Sequence, residues 1–182
     1  SGHIKEVGIE LYQQMLEDAV ADARGGALKP REAEWTPQIA VGTPVLIPES
    51  YVPDLAARLA LYRRVASMVD RQDIDAFAAE LVDRFGPMPA EVENLLEIVA
   101  IKRMCRDAGV EKVEAGPKGA VVALRQNKFK NPEKLIFYIQ KSRGAIKLRP
   151  DQRLVFAGDW HDPAERMKEL TRILGDMVKL AA

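Results

Sequence analysis

The spacing of apolar positions changes character near residue 110. Before that point helical spacing dominates. Tyr12, Met15, Leu16, Ala19, Val20 and Ala23 predict a first helix over residues 8–24, stopped by Gly25-Gly26. Five prolines between Ala27 and Pro53 then remove any helical period. Here Ile39, Val41, Val45 and Ile47 alternate as one extended strand, and Pro44, which cannot donate to a ladder, restricts it to a sheet edge or abolishes it. A helix is expected over residues 54–69 with Leu55, Leu59, Tyr62, Ala66 and Val69 on one face, and another over 73–85 with Ile74, Phe77, Ala78, Leu81 and Phe85 inward. Gly86-Pro87-Met88-Pro89 ends it, because glycine accepts the left-handed conformation and neither proline can donate a helical hydrogen bond. Pro89 suits the first turn of a third helix over 89–108, with Val92, Leu95, Leu96 and Val99 inward and Gly109 at its end.

Beyond Val110 the apolar runs shorten. Lys112 to Ala115 and Ala120 to Leu124 flank Gly116-Pro117-Lys118-Gly119 as a hairpin, and Ile146 and Leu148 face Leu154 and Phe156 across a turn built on Pro150-Asp151. Asn131 before Pro132 predicts a side-chain cap for a helix carrying Leu135, Ile136 and Ile139, and Asp162-Pro163-Ala164-Glu165 opens a last helix as a capping box. The fold class expected is α+β: a helical group over residues 54–108 packed with a small, mostly antiparallel sheet over 110–157, and a C-terminal helix. There is no internal repeat.

At 182 residues, 47% hydrophobic and 30% charged, the composition is that of a globular chain with a real core, which excludes disordered, collagenous and disulfide-scaffold classes. The zero net charge conceals a gradient: residues 1–90 carry 9 basic and 14 acidic groups, residues 91–182 carry 18 and 13. Such polarity either presents different faces to different partners or is merely solvated. The lone Cys105 has no disulfide partner and fits a small core residue among Ile101, Met104 and Ala108. No secretory signal or long apolar run is visible, so a cytoplasmic location away from membranes is expected. Ser1-Gly2 is consistent with a cloning scar on an excised fragment.

Catalytic chemistry is sparse. The G-x-x-x-x-G-K-[ST] phosphate loop is missing, and two histidines, His3 and His161, with one cysteine support neither a zinc cluster nor a Cys-His nucleophile. Asp70, Asp73 and Asp75 lack the glycine and twelfth-position glutamate of a calcium loop and fit an acidic helix start instead. His161 between Asp159 and Asp162 fits a solvated loop better than a general base. No catalytic residue, metal or cofactor is expected in this chain.

Two charged constellations remain. Glu80 and Asp83 lie three residues apart, pointing away from the Phe77-Leu81-Phe85 stripe with Arg84 beside them; such a pair presents two carboxylates to a guanidinium-bearing partner, or is simply a solvated face. Residues 125–153 hold Arg125, Lys128, Lys130, Lys134, Lys141, Arg143, Lys147, Arg149 and Arg153 against only Glu133 and Asp151. Of these, Arg125, Lys128, Lys130, Arg143, Lys147 and Arg149 are the candidate nucleic-acid contacts, with Phe129 or Tyr138 available to stack on a base. A solvated basic face is the alternative.

The run Glu80-Leu81-Val82-Asp83-Arg84-Phe85-Gly86-Pro87-Met88-Pro89, followed by Asn94-Leu95-Leu96 and Ile101-Lys102, resembles the C-terminal domain of the bacterial transcription-repair coupling factors. The likeness extends upstream through Tyr51-Val52-Pro53-Asp54 and Arg58-Leu59-Ala60-Leu61-Tyr62-Arg63-Arg64, and residues 2–12 resemble the end of that family's translocase module. The resemblance implies residues 1–26 as that end, 27–48 as a linker with a possible edge strand, and 49–182 as a regulatory domain. It further implies a non-enzymatic piece of an ATP- and magnesium-dependent DNA translocase that binds double-stranded DNA, displaces stalled RNA polymerase and recruits excision repair. In the family this domain docks on an N-terminal module resembling UvrB, masks the surface that binds UvrA and restrains the motor. Family contacts fall on the positions of Glu80 and Asp83, with Arg84 adjacent, while Phe85, Gly86, Pro87 and Pro89 are assigned to shape. Nucleic-acid binding through residues 125–153 is the alternative function.

Overall fold

The computed structural model describes residues 35–68 and 70–182. The predicted helix over 8–24, the segment 1–26 and Val69 lie outside the described residues. The described chain falls into two compact units: Pro44–Val99, and Trp35–Thr43 with Ala100–Ala182.

The first unit contains α1 (Leu55–Ala66), α2 (Arg71–Phe85) and the start of α3 (Ala90–Ala108). Asp54 and Asp70 cap α1 and α2, accepting from the amides of Ala57 (3.0 Å) and Asp73 (2.8 Å), so Asp70 acts as a helix cap. The stripe Ile74, Phe77 and Leu81 is buried as expected, as are Val92, Leu95 and Leu96 on α3. On α1 the expected face is wrong. Leu61 and Val65 are buried, whereas Leu55 is 53% exposed and Ala66 is exposed. Only Arg58, Arg63 and Arg64 interrupt the apolar character of this helix, so its period selects no single face and packing chooses. The helix also stops at Ala66, where Ser67 donates through its amide (3.2 Å) and hydroxyl (2.8 Å) to the Arg64 carbonyl.

The second unit is built on a five-stranded sheet of order β1-β2-β3-β5-β4, with β1 (Gln38–Ala40), β2 (Val110–Gly116), β3 (Gly119–Leu124), β4 (Ile146–Leu148) and β5 (Leu154–Ala157). The pairs are antiparallel except β1–β2, which is parallel. The strand expected over residues 39–47 is therefore cut short: β1 is an edge strand as Pro44 requires, but Gly42 turns the chain at φ 64° and Ile47 belongs to the first unit, its amide donating to the Tyr62 hydroxyl (2.8 Å). The hairpin at Gly116–Gly119 forms as expected. A Cβ at Gly119 would lie 1.8 Å from the Phe156 carbonyl oxygen, so only glycine permits the approach of β5. The turn at Pro150-Asp151 also forms, closed by Gln152 N–H on the Arg149 carbonyl (2.9 Å), and pairs Ile146 with Phe156 and Leu148 with Leu154.

Two helices complete this unit: α4 (Pro132–Lys141), which packs on β4, and α5 (Pro163–Ala181), which packs on β2. Asp162 caps α5 as expected. Asn131 does not cap α4 with its side chain; its Nδ2 donates instead to the carbonyls of Leu180 and Ala182 (3.1 Å each), satisfying the open end of α5. Cys105 is buried, and burial pushes its thiol up to about 12. Arg166 on α5 is also buried, donating to the carbonyls of Val41 (2.7 Å) and Trp160 (3.1 Å), and so ties the end of β1 to the helix. The architecture is α+β, with a helical group, a mixed and mostly antiparallel sheet and a C-terminal helix.

Candidate functional site

The C-terminal end of α2 is held rigid from below. Tyr51, in the segment leading to α1, shares its hydroxyl hydrogen between the carbonyls of Gly86 (2.8 Å) and Leu81 (3.1 Å), and its ring meets Phe85 at 5.7 Å between centroids. Arg58 fixes that segment in turn, donating to the carbonyls of Val52 (2.8 Å) and Pro53 (3.1 Å). Gly86 sits at φ 88°, its amide closing on the Val82 carbonyl (3.0 Å), and the Pro89 carbonyl accepts from the amides of Val92 and Glu93 to start α3. Phe85, Gly86, Pro87 and Pro89 thus lie in a turn whose path is fixed by covalent stiffness and by one buried-facing phenol.

Charge is layered on this turn. Glu80 is hydrogen-bonded to Arg64 of α1, and Arg84 stands 3.7 Å from the same carboxylate oxygen. Both guanidinium groups also lie over rings, Arg64 over Phe77 and Arg84 over Phe85, each 4.9 Å from the centroid. The bond from Arg64 holds the Glu80 carboxyl below the usual carboxylate range. Of the outward acidic pair, Glu80 is engaged between two arginines and links α1 to α2. Asp83 is exposed and has no partner among the described residues. Its neighbours on the outer face are exposed Ala76, Ala79 and Val82, the last 46% exposed. Tyr51 and Arg64, which complete this arrangement, were visible in the sequence only as parts of a family-like run, since their partners stand 35 and 16 residues away.

The candidate nucleic-acid residues are spread over several elements of the second unit. Arg125 lies in the turn after β3 with its guanidinium 5.1 Å above the Trp35 ring, and Lys128 and Lys130 occupy the exposed connection to α4. Arg143 is in the α4–β4 turn, Lys147 on β4, and Arg149 in the β4–β5 turn, bound to Asp151 at 2.9 Å. Tyr138 is no stacking platform: its hydroxyl donates to Asp176 (2.9 Å), and burial together with that bond pushes its pKa up to about 12. His161 and Asp159 bond each other in an exposed loop, which holds the Asp159 carboxyl below its usual range. Among the described residues no group of three or more His, Cys, Asp or Glu side chains is placed to hold a metal ion, and no helix is long and apolar enough to cross a membrane.

Residues 41–135, which include the whole Tyr51 to Pro89 arrangement, match the model of the TRCF domain family. The chain belongs to the transcription-repair-coupling factor family. It is 37% identical over 156 residues to the transcription-repair-coupling factor of Rickettsia prowazekii, covering 86% of this chain and 14% of that protein. The factor of Myxococcus xanthus is 35% identical over 155 residues, and that of Escherichia coli K12 29% identical over 180, or 97% of this chain and 16% of its own length. The chain thus corresponds to about one-seventh of these relatives. Its fold is similar to a crystal structure of the C-terminal domain of a transcription-repair coupling factor, with a TM-score of 0.66 at 20% identity, covering 81% of this chain and 94% of that one.

Proposed function

We propose that this TRCF domain is a regulatory docking module, and that the end of α2 is its contact surface. It binds the UvrB-like N-terminal module of its parent, masks the surface that recruits UvrA, and restrains the ATP-driven translocase until stalled RNA polymerase is engaged. The observation that carries this reading is the asymmetry of the acidic pair: Asp83 is exposed with no partner among the described residues, on the last turn of α2 that Tyr51 ties down, while Glu80 already holds Arg64 and Arg84 in place. A free carboxylate on a preorganised turn engages an arginine without the entropy of ordering its own support. Arg84 is the second contact, because it can exchange its distant carboxylate for one on the partner. Exposed pairs of this kind contribute about 0.2–1 kcal/mol each, which suits a closed state that must open.

The test is a calorimetric titration of this chain with the separately expressed UvrB-like module of the same parent. Asp83→Ala is expected to weaken binding several-fold with an unchanged melting temperature, and Arg84→Ala to weaken it less. Undiminished binding of the Asp83 variant would remove α2 as the contact. Absence of any binding at low salt would transfer the case to the basic region, with duplex DNA the next ligand.

A further inference from the structure

The free edge of the sheet carries a second surface with no role in that docking reading. β4 is the last strand of the sheet, and among the described residues its outer side pairs with nothing. Ala157 N–H bonds the Ala145 carbonyl (2.9 Å) and Arg149 N–H bonds the Arg153 carbonyl (2.8 Å), so by the alternation of an antiparallel ladder Lys147 also turns its backbone groups to β5. Ile146 and Leu148 therefore direct theirs outward. The Ile146 amide is taken by the Ser142 hydroxyl (3.0 Å), which leaves the Ile146 carbonyl and both backbone groups of Leu148 open among the described residues.

The side chains around this edge are unusual in the same place. Leu148 lies in register with Leu154, and through it with Val122 and Val113, all fully buried, yet Leu148 itself is 53% exposed. It ends a core row that nothing among the described residues covers. On α4, which packs on β4, Ile136 and Phe137 are 52% and 65% exposed. The Ser142–Ile146 bond joins the end of α4 to the start of β4. Lys141, Arg143 and Lys147 are exposed around them and have no carboxylate partner among the described residues.

We propose that the β4 edge receives an extended segment of a partner protein with alternating apolar and acidic residues, added as a sixth strand. Its backbone meets Leu148 N–H and the Ile146 carbonyl; its apolar residues cover Leu148 and extend toward Ile136; its carboxylates, on the opposite face of the new strand, reach Lys147. This is strand addition, in which main-chain bonds supply affinity and alternate side chains supply selection. Nucleic acid would satisfy the cations but leave the open backbone groups and the aliphatic Leu148 and Ile136 without a matching chemistry.

A fluorescein-labelled eight-residue peptide of alternating valine and glutamate, titrated into the full 182-residue chain and followed by anisotropy and by the backbone amide resonances, tests this. Expected are saturable binding, a shift of the Leu148 amide, and at least a tenfold loss of affinity both for Lys147→Glu and for a peptide N-methylated on the residues facing β4. Ile136→Ser, on an exposed helical position, should lose about fivefold while retaining the wild-type melting temperature. Binding indifferent to N-methylation, no saturable binding, or displacement of the peptide by a duplex oligonucleotide that itself binds this edge would each overturn the proposal.

Discussion

The end of α2 and the corner formed by α4 and β4 both expose several charges beside apolar side chains, but they dispose of them in opposite ways. At α2, Arg64 and Arg84 share Glu80 and each covers an aromatic ring, so the cations are consumed within the unit and one acidic group, Asp83, is left over. At the α4–β4 corner, Lys141, Arg143 and Lys147 have no carboxylate partner among the described residues, and the apolar neighbours Ile136, Phe137 and Leu148 are uncovered. The two regions differ in how far their charges are satisfied. A satisfied network stiffens its own element and presents a narrow, directional remainder, whereas an unsatisfied cluster has its unused interaction free energy available to something outside.

The largest effect that could break this contrast is in the core beneath the first surface. Leu81→Ala, at a fully buried position, should lower the unfolding free energy by about 2–5 kcal/mol, while Phe137→Ser on the outer face of α4 should stay within about 0.5 kcal/mol of wild type in denaturant titrations. Comparable losses would mean that Phe137 is structural. Tyr51→Phe comes next: it strips the hydroxyl from the Gly86 and Leu81 carbonyls and should cost about 1 kcal/mol, with faster hydrogen exchange at the Gly86 amide.

A smaller effect of pH isolates Glu80. Because the Glu80 pKa is depressed in the folded chain, its contribution is present above the unfolded carboxyl value of about 4.3 and is lost as pH falls through the folded value. Glu80→Gln should therefore melt below wild type at pH 7 and converge with it in strong acid. A gap that persists in acid would assign the Glu80 effect to packing. Smallest is the consequence of neutralising the second surface: Arg143→Gln and Lys147→Gln should change stability by less than about 0.5 kcal/mol, and a larger loss would reveal a partner for these cations.

Much of the fold was legible in the sequence where one short stretch decides it. The Ile74-Phe77-Leu81 stripe, the Asp162 cap, the Gly116–Gly119 hairpin and the turn at Pro150-Asp151 follow from periodicity and backbone preference alone. The candidate site was half legible: residues 80–89 stood out as a helix end and turn carrying an outward acidic pair, Glu80 and Asp83. Arg64 distinguishes them, and it comes from another helix. Likewise Asn131 stands where a cap is expected, yet the end of α5 claims its amide group.

By itself, then, the sequence determined the α+β class, the helix and turn boundaries to within a few residues, the family, and the fact that charge is concentrated in two places. Only the tertiary structure decided which face α1 buries, which carboxylate is free, why Arg166 is buried against a carbonyl 125 residues away, and that Leu148 ends a core row in the open. The physical reason is range. Dihedral preference and periodicity act over a turn or two of chain, while the satisfaction of a charge, a carbonyl or an apolar surface depends on which distant segment arrives beside it.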